Sequence, residues 1–339
     1  MNRLIIFTDF ASLSIPMILT KAILQAVCKR SDVEIAGLCI INPQKYRDLL
    51  LRYAQTVIKK KIISFFDHSK KSLSKPSVPI NSEKLARHYH FPIIVPPDHN
   101  INHSDFISAL KTIIKPTLAI SYFYPQKFSP SLLEALGPTV NYHNGLLPKY
   151  RGLKATSWSV YQREKETGYT FHYMNENFDE GNILLQGAIP IKPDAIPVDL
   201  EHAKTFKAAN DIPRLLEMII SREKGTAQTG ESGYFSEKIF LAITKIDDPS
   251  AHSSVELIRR LRAFGRLLMH IQGRWHRVTK LVAMPGTHNV QGTFSFRTRD
   301  DIIMQAIRFH YLPLTLYQIL KWIGWRLSSK EEISNVSDR

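Results

Sequence analysis

The sequence predicts an α/β fold: a Rossmann-like, doubly wound and mostly parallel sheet, then a small, reduced β-rich C-terminal domain and a terminal helix. Three observations predict it. Apolar runs of strand length alternate with amphipathic runs of helical length through residues 1–222. The opening unit is strand, helix, strand, which requires a right-handed crossover between parallel strands. Beyond residue 265 the pattern changes to longer alternating stretches with a turn between them.

In order, Arg3 to Phe7 reads as the first strand and Ser12 to Val27 as a helix with Pro16 in its first turn; Val33 to Ile41 is the second strand. No Gly-x-Gly-x-x-Gly follows the first strand, so a nicotinamide dinucleotide is not implied. Residues 43–79 are a basic helical insertion: Leu49, Tyr53 and Val57 recur at near-helical spacing, followed by a Ser, Lys and Pro loop. Phe91 to Val95 reads as a strand, Ser104 to Ile114 as a helix, Leu118 to Tyr122 as a buried strand and Ser129 to Leu136 as a helix. A strand through Val140 is followed by a helix, Thr156 to Arg163. Two further strands cover Gly168 to Met174 and Ile183 to Ile191, and two separate helices cover Asp194 to Lys204 and Ile212 to Ile220. Glu256 to Phe264 is a helix, Trp275 to Ala283 and Gly292 to Ile307 are strands around a turn at Pro285-Gly286, and 328–339 is a polar, disordered tail.

With 45 Lys plus Arg against 30 Asp plus Glu, the chain carries a formal charge of +15, which favours anionic partners such as nucleic acid, nucleotides or lipid head groups. The charge is concentrated between Lys45 and Lys75, including Lys59-Lys60-Lys61, and again around Arg259, Arg260 and Arg262. Cys28 and Cys39 lie in apolar segments and read as reduced core residues of a cytoplasmic protein. No apolar run reaches the length of a membrane span, and the opening residues are a strand, not a secretory signal. The terminal helix carries Trp322 and Trp325 beside Lys321 and Arg326, a pattern that also suits a membrane surface over 314–327.

The chemistry concentrates between Val140 and Gly187. Strand alternation puts Asn141 and His143 on one side of a strand that ends at Leu146-Leu147-Pro148, and the loop after the next strand holds Asp179. An amide, an imidazole and a carboxylate suit acyl transfer. The first two can donate to a developing oxyanion, and the third fixes the imidazole tautomer. The histidines show no metal-ligand spacing, so no metal is expected.

Asn141-x-His143-x-x-Leu146-Leu147-Pro148-x-Tyr150-Arg151-Gly152, then Trp158, Gly168-x-Thr170-x-His172-x-Met174 and Asp179-x-Gly181-x-Ile183-Leu184-x-Gln186, resembles the folate-dependent formyltransferase family. That family includes methionyl-tRNA formyltransferase, glycinamide ribonucleotide transformylase and the amino-sugar N-formyltransferases. The resemblance implies 10-formyltetrahydrofolate as formyl donor, a neutral primary amine as acceptor, and Asn141, His143 and Asp179 as the catalytic residues. It makes Tyr122, Phe123, Tyr124 and Gln126, with Asn175 and Asn177, candidates for the folate site. It also implies a catalytic domain over 1–222, a linker and helix over 223–265, and a small domain over 266–327. One departure stands out: Asn144-Gly145 occupies positions where many relatives carry a small residue and then Ser. The charge makes methionyl-tRNA the leading acceptor, the shortened C-terminal region favours a nucleotide-linked amino sugar, and a non-catalytic, binding relative of the fold is the third reading.

Overall fold

The computed structural model describes residues 1–8, 14–40, 80–283 and 293–308. The insertion over 43–79, the turn at Pro285-Gly286, the helix around 314–327 and the tail lie outside them. Strands β1 (Asn2–Phe7), β2 (Val33–Cys39), β3 (Ile93–Ile94), β4 (Leu118–Tyr122), β5 (Thr139–His143), β7 (Glu166–Tyr173) and β8 (Ile183–Pro190) form one sheet in the order β3-β2-β1-β4-β5-β7-β8. The two-residue strand β6 (Arg151–Gly152) lies outside it. The described residues of Met1–Val140 and Ile219–Arg222 make one compact unit, and those of Asn141–Met218 and Glu223–Leu312 make a second.

In the first unit, β1 pairs in parallel with β2 and with β4, where Leu4 faces Leu118 and Phe7 faces Ser121. Leu4, Ile5, Ile6 and Phe7 are all fully buried, as a strand covered on both faces requires. Helix α1 (Ser14–Cys28) makes the crossover to β2 and buries Leu19, Ile23 and Leu24. Cys28 is exposed, which corrects its core placement, while Cys39 is buried as expected; each thiol is free. After α2 (Ile80–His88), the third strand keeps only two paired residues. Pro92 and Pro96 bracket it, and neither has an N–H to extend the ladder. Helix α3 (Ser104–Ala109) continues as a π turn through Ile114, and Ser129 caps α4 (Pro130–Leu136) by accepting from Leu132 N–H.

In the second unit, α5 (Ala155–Tyr161) follows β6, and β7 and β8 form an antiparallel hairpin from Glu166↔Pro190 to His172↔Ile183. The sequence predicted two helices after it; the structure has one, α6 (Pro197–Ile220), with Pro213 inside. A proline normally marks a boundary. Here a continuous buried stripe, Leu200, Lys204, Ala208, Ile212, Leu215 and Ile219, runs through it, and burial of that stripe outweighs the one backbone hydrogen bond that proline removes.

Arg151-Gly152, at the end of the recognised motif, pairs in parallel with β9 (Tyr234–Phe235). Helix α7 (Glu237–Thr244) leads to β10 (Lys245–Ile246), and α8 (Ser254–Phe264) ends on Gly265, whose left-handed backbone (φ 71°) suits a helix terminus. Strands β11 (Leu267–Ile271), β12 (Arg274–Ala283), β13 (Thr293–Arg297) and β14 (Ile303–Arg308) join β10 in a five-stranded sheet, order β10-β11-β12-β14-β13. Its core is Ile246, Leu257, Leu267, Met269, Ile271, Val278 and Ala306. Thus β10 and β11 add to the two C-terminal stretches legible in the sequence. Among the described residues no helix is long and apolar enough to cross a membrane, and no cluster of three His, Cys, Asp or Glu residues forms a metal site.

Candidate active site

Strand β5 ends in the Asn-x-His pair, and the loop between β7 and β8 carries the aspartate, so all three catalytic candidates belong to the second unit. His143 is buried. Its Nδ1 lies 3.4 Å from Asp179 Oδ2, and its Nε2 lies 2.5 Å from the Tyr150 carbonyl oxygen. A carbonyl only accepts, so the Tyr150 oxygen puts the proton on Nε2 and leaves the Nδ1 lone pair facing the carboxylate. The tautomer is therefore set by a backbone carbonyl seven residues on, not by Asp179.

Asp179 sits between two imidazoles, with His172 Nε2 3.5 Å from Oδ1. Gly152 N–H donates to Oδ2 at 2.9 Å. Burial on its own would raise the Asp179 carboxyl, but His143, His172 and the Gly152 amide together outweigh it and hold the group well below the usual carboxylate range. Burial pushes His143 down, and the nearby Asp179 charge only partly restores it. The resting pair is thus an ionised carboxylate beside a neutral imidazole. Asn141 Nδ2 lies 3.2 Å from His172 Nε2, while His172 Nδ1 donates to the Tyr173 carbonyl at 2.8 Å. One amide N–H of Asn141 is engaged by that ring.

Asp179 holds a left-handed backbone (φ 56°), uncommon for a residue with a side chain. Gln228 stabilises it by donating to the carbonyls of Asp179 (2.8 Å) and Gly181 (2.9 Å). Gly152, at φ 87°, could not carry a Cβ without meeting the Phe235 carbonyl oxygen at 2.6 Å. Gly145 is also explained: a Cβ there would sit 2.5 Å from Ala155 Cβ and 2.9 Å from His143 Nε2. An open cavity of about 260 Å³ lies alongside, lined by Pro148, Arg151, Glu180, Gln228, Gly230 and Ser232.

The remaining candidates are placed as follows. Tyr122 is fully buried in the first unit, its hydroxyl 2.6 Å from Thr20 Oγ1. Phe123 turns the chain with a left-handed backbone (φ 54°), and Tyr124 packs edge-on to Phe7. Gln126 accepts from Ile101 N–H and donates to the His99 carbonyl. Asn175 Oδ1 accepts from Asn177 N–H at 3.0 Å, a turn that shapes the loop leading to Asp179. His172, Gly152 and Gln228 are the site residues that sequence reasoning gave no role. The first two stood in the recognised motif. Gly152 acts through its backbone amide and Gln228 through a side chain far along the chain, and sequence holds no local signal for either role.

A family description, "Formyl transferase", matches residues 41–216 of this chain, which is more than half of it. The chain belongs to the formyl transferase family. Among family relatives, a GDP-perosamine N-formyltransferase of Brucella melitensis is 33% identical over 149 residues, 44% of this chain and 56% of that protein. The match thus spans little more than half the length of that relative. A sugar N-formyltransferase from Shewanella has a TM-score of 0.59 at 17% identity, over 86% of this chain and 100% of the other. An N-formyltransferase from Helicobacter canadensis, solved with folinic acid and dTDP-3-aminofucose, gives 0.54 at 17% identity over 91% and 100%. At such identities these structures speak for the fold, and it is the mixed, mostly parallel α/β fold that the sequence predicts.

Proposed function

We propose that this formyl transferase moves a formyl group from 10-formyltetrahydrofolate to the primary amine of a nucleotide-linked amino sugar. The observation that carries the chemistry is the neutral His143, proton on Nε2, with its open Nδ1 beside an ionised Asp179. Bound donor would supply a formyl carbon to the amine, and negative charge then develops on the formyl oxygen. Asn141 donates its second amide N–H to that oxygen. His143 takes the proton released by the attacking amine at Nδ1, where the resulting imidazolium pairs with Asp179. The same proton passes to the folate nitrogen as the old C–N bond breaks, so the histidine ends as it began. This gives His143 the part of base more than of oxyanion donor.

The acceptor assignment draws support from the relatives named for GDP-perosamine and for sugars. The methionyl-tRNA reading leaned on Arg259, Arg260 and Arg262 as phosphate contacts. Arg259 and Arg260 both pair with Glu256, and Arg262 donates to the Ala195 carbonyl at 2.9 Å, so all three bind groups of their own fold. The other basic run, Lys59-Lys60-Lys61, lies outside the described residues.

A formyl-transfer assay over GDP- and dTDP-linked amino sugars and charged tRNA tests the proposal. Turnover is expected with an amino-sugar nucleotide. His143→Ala and Asp179→Asn should each lower it by roughly a hundredfold or more, with donor binding retained. Transfer to methionyl-tRNA alone would reverse the acceptor assignment, and near-normal turnover in either variant would remove the site.

A further inference from the structure

Helix α6 contributes a group that the chemistry above does not use. Lys204 is completely buried on the helix's inner face, yet a lysine is among the residues least often buried without a purpose. Its Nζ donates to the Asn144 carbonyl and, at 2.5 Å, lies on Thr156 Oγ1. Three residues earlier on the same helix, Glu201 Oε1 accepts from Asn144 Nδ2 at 3.5 Å. Two charged side chains one helical turn apart therefore grip Asn144 at its backbone and at its side chain. Asn144 is the residue directly after His143, and it is the position at which the motif departs from many relatives.

We propose that Lys204 is a positioning residue for formyl transfer, holding the Asn144 carbonyl so that the end of β5 presents Asn141 and His143 in working geometry. The inference rests on the formyl-transfer reading of the site. The consequence is geometric first: an unrestrained strand end would let both side chains drift, and displacements near 1 Å at a reacting centre cost on the order of a hundredfold in rate. A second consequence is electrostatic. Lys204 is a cation facing His143 from α6, opposed by Glu201 on its own helix, while His172 on β7 and Asp179 on the loop beyond it face the same ring. Burial brings the Lys204 amine down to about 7, so the amine is still partly charged at neutral pH, and that charge disfavours protonation of His143.

The decisive variant is Lys204→Met, which keeps the volume and removes both the donor and the charge. Turnover should fall at least about tenfold while the KM for donor and acceptor each stay within about twofold, the pattern of a lost transition-state geometry and not of lost binding. Independently of any activity, histidine NMR titration should show His143 protonating at a higher pH in the variant than in the parent. Thr156→Val, which removes only the neutral partner, should produce a smaller loss of turnover and leave the His143 titration where it was. If Lys204→Met folds and melts cooperatively but leaves both turnover and the His143 titration unchanged, the lysine merely fills its helix face and the inference is overturned. Should the parent protein transfer no formyl group to any amine, the functional reading fails by itself, and the titration still decides whether Lys204 acts on His143.

Discussion

His143 meets a carboxylate through a nitrogen that is unprotonated at rest, and this fixes the sign of its pH behaviour. Burial lowers its pKa from 6.5, so the base is available throughout the neutral range and is lost only as the pH falls through the lowered value. The acid limb of kcat/KM is therefore expected below pH 6.5. Asp179 opposes the burial effect, so Asp179→Asn should move His143 protonation to still lower pH, the reverse of the shift argued for Lys204→Met; an upward move on losing Asp179 would contradict the arrangement. Gly145 makes a second residue-scale test. With His143 Nε2 2.9 Å and Ala155 Cβ 2.5 Å from where its Cβ would be, Gly145→Ala must push the ring or α5 aside. A loss of about a hundredfold in turnover is expected, with secondary structure by circular dichroism intact. Asn141, His143 and Asp179 could be singled out as candidates in the sequence because the chemistry of each is written in its own side chain. Lys204 was not, since a lysine in an amphipathic pattern reads as solvated surface.

Among the elements, strands that are buried on both faces were the most legible. Leu118 to Tyr122 matches β4 residue for residue, because every position in it is buried and the run declares itself without need of alternation. The two-residue strands β6 and β9 have no period to read, and their pairing joins segments about eighty positions apart. The sequence reading broke α6 between Lys204 and Ile212, whereas the helix runs unbroken over 24 residues with Pro213 inside and a buried stripe along its length. That leaves a helix with one missing internal hydrogen bond at an exposed position. Pro213→Ala is accordingly expected to stabilise the protein by about 1–3 kcal/mol, read as a raised urea midpoint with unchanged m-value. A fall in the midpoint would mean that the proline ring packs where its exposure says it does not.

For the whole molecule, the formal charge of +15 invites a long-range partner such as tRNA, and composition alone gives no means to discount the arginines of α8. The structure shows what those side chains bind. Two share the single carboxylate of Glu256 and the third donates to backbone carbonyls, so their guanidinium donors are held by groups of their own fold. Binding of a nucleotide-sugar should weaken only slightly with salt, with a slope of log affinity against log salt of about one or two. A triple Arg259, Arg260 and Arg262 to Ala variant should leave that slope unchanged while losing stability. A steep slope that flattens in this variant would bring polyanion binding back.

The pairing of Arg151-Gly152 with Tyr234-Phe235, reinforced by Gln228 on the Asp179 loop, bears on where the chain can be cut. The sequence puts a boundary near residue 222, an obvious place to end a shortened protein. Such a fragment would lack the strand against which Gly152 lies and both hydrogen bonds from Gln228, leaving Asp179 in its left-handed backbone without that support. Phe235 also stacks on Trp158 and Phe264 meets it edge-on, so the shortest fragment that keeps a working aspartate should extend through α8. Fragments ending at 222 and at 265 make the comparison: both are expected in soluble form if the sheet folds alone, but only the longer one should turn over substrate.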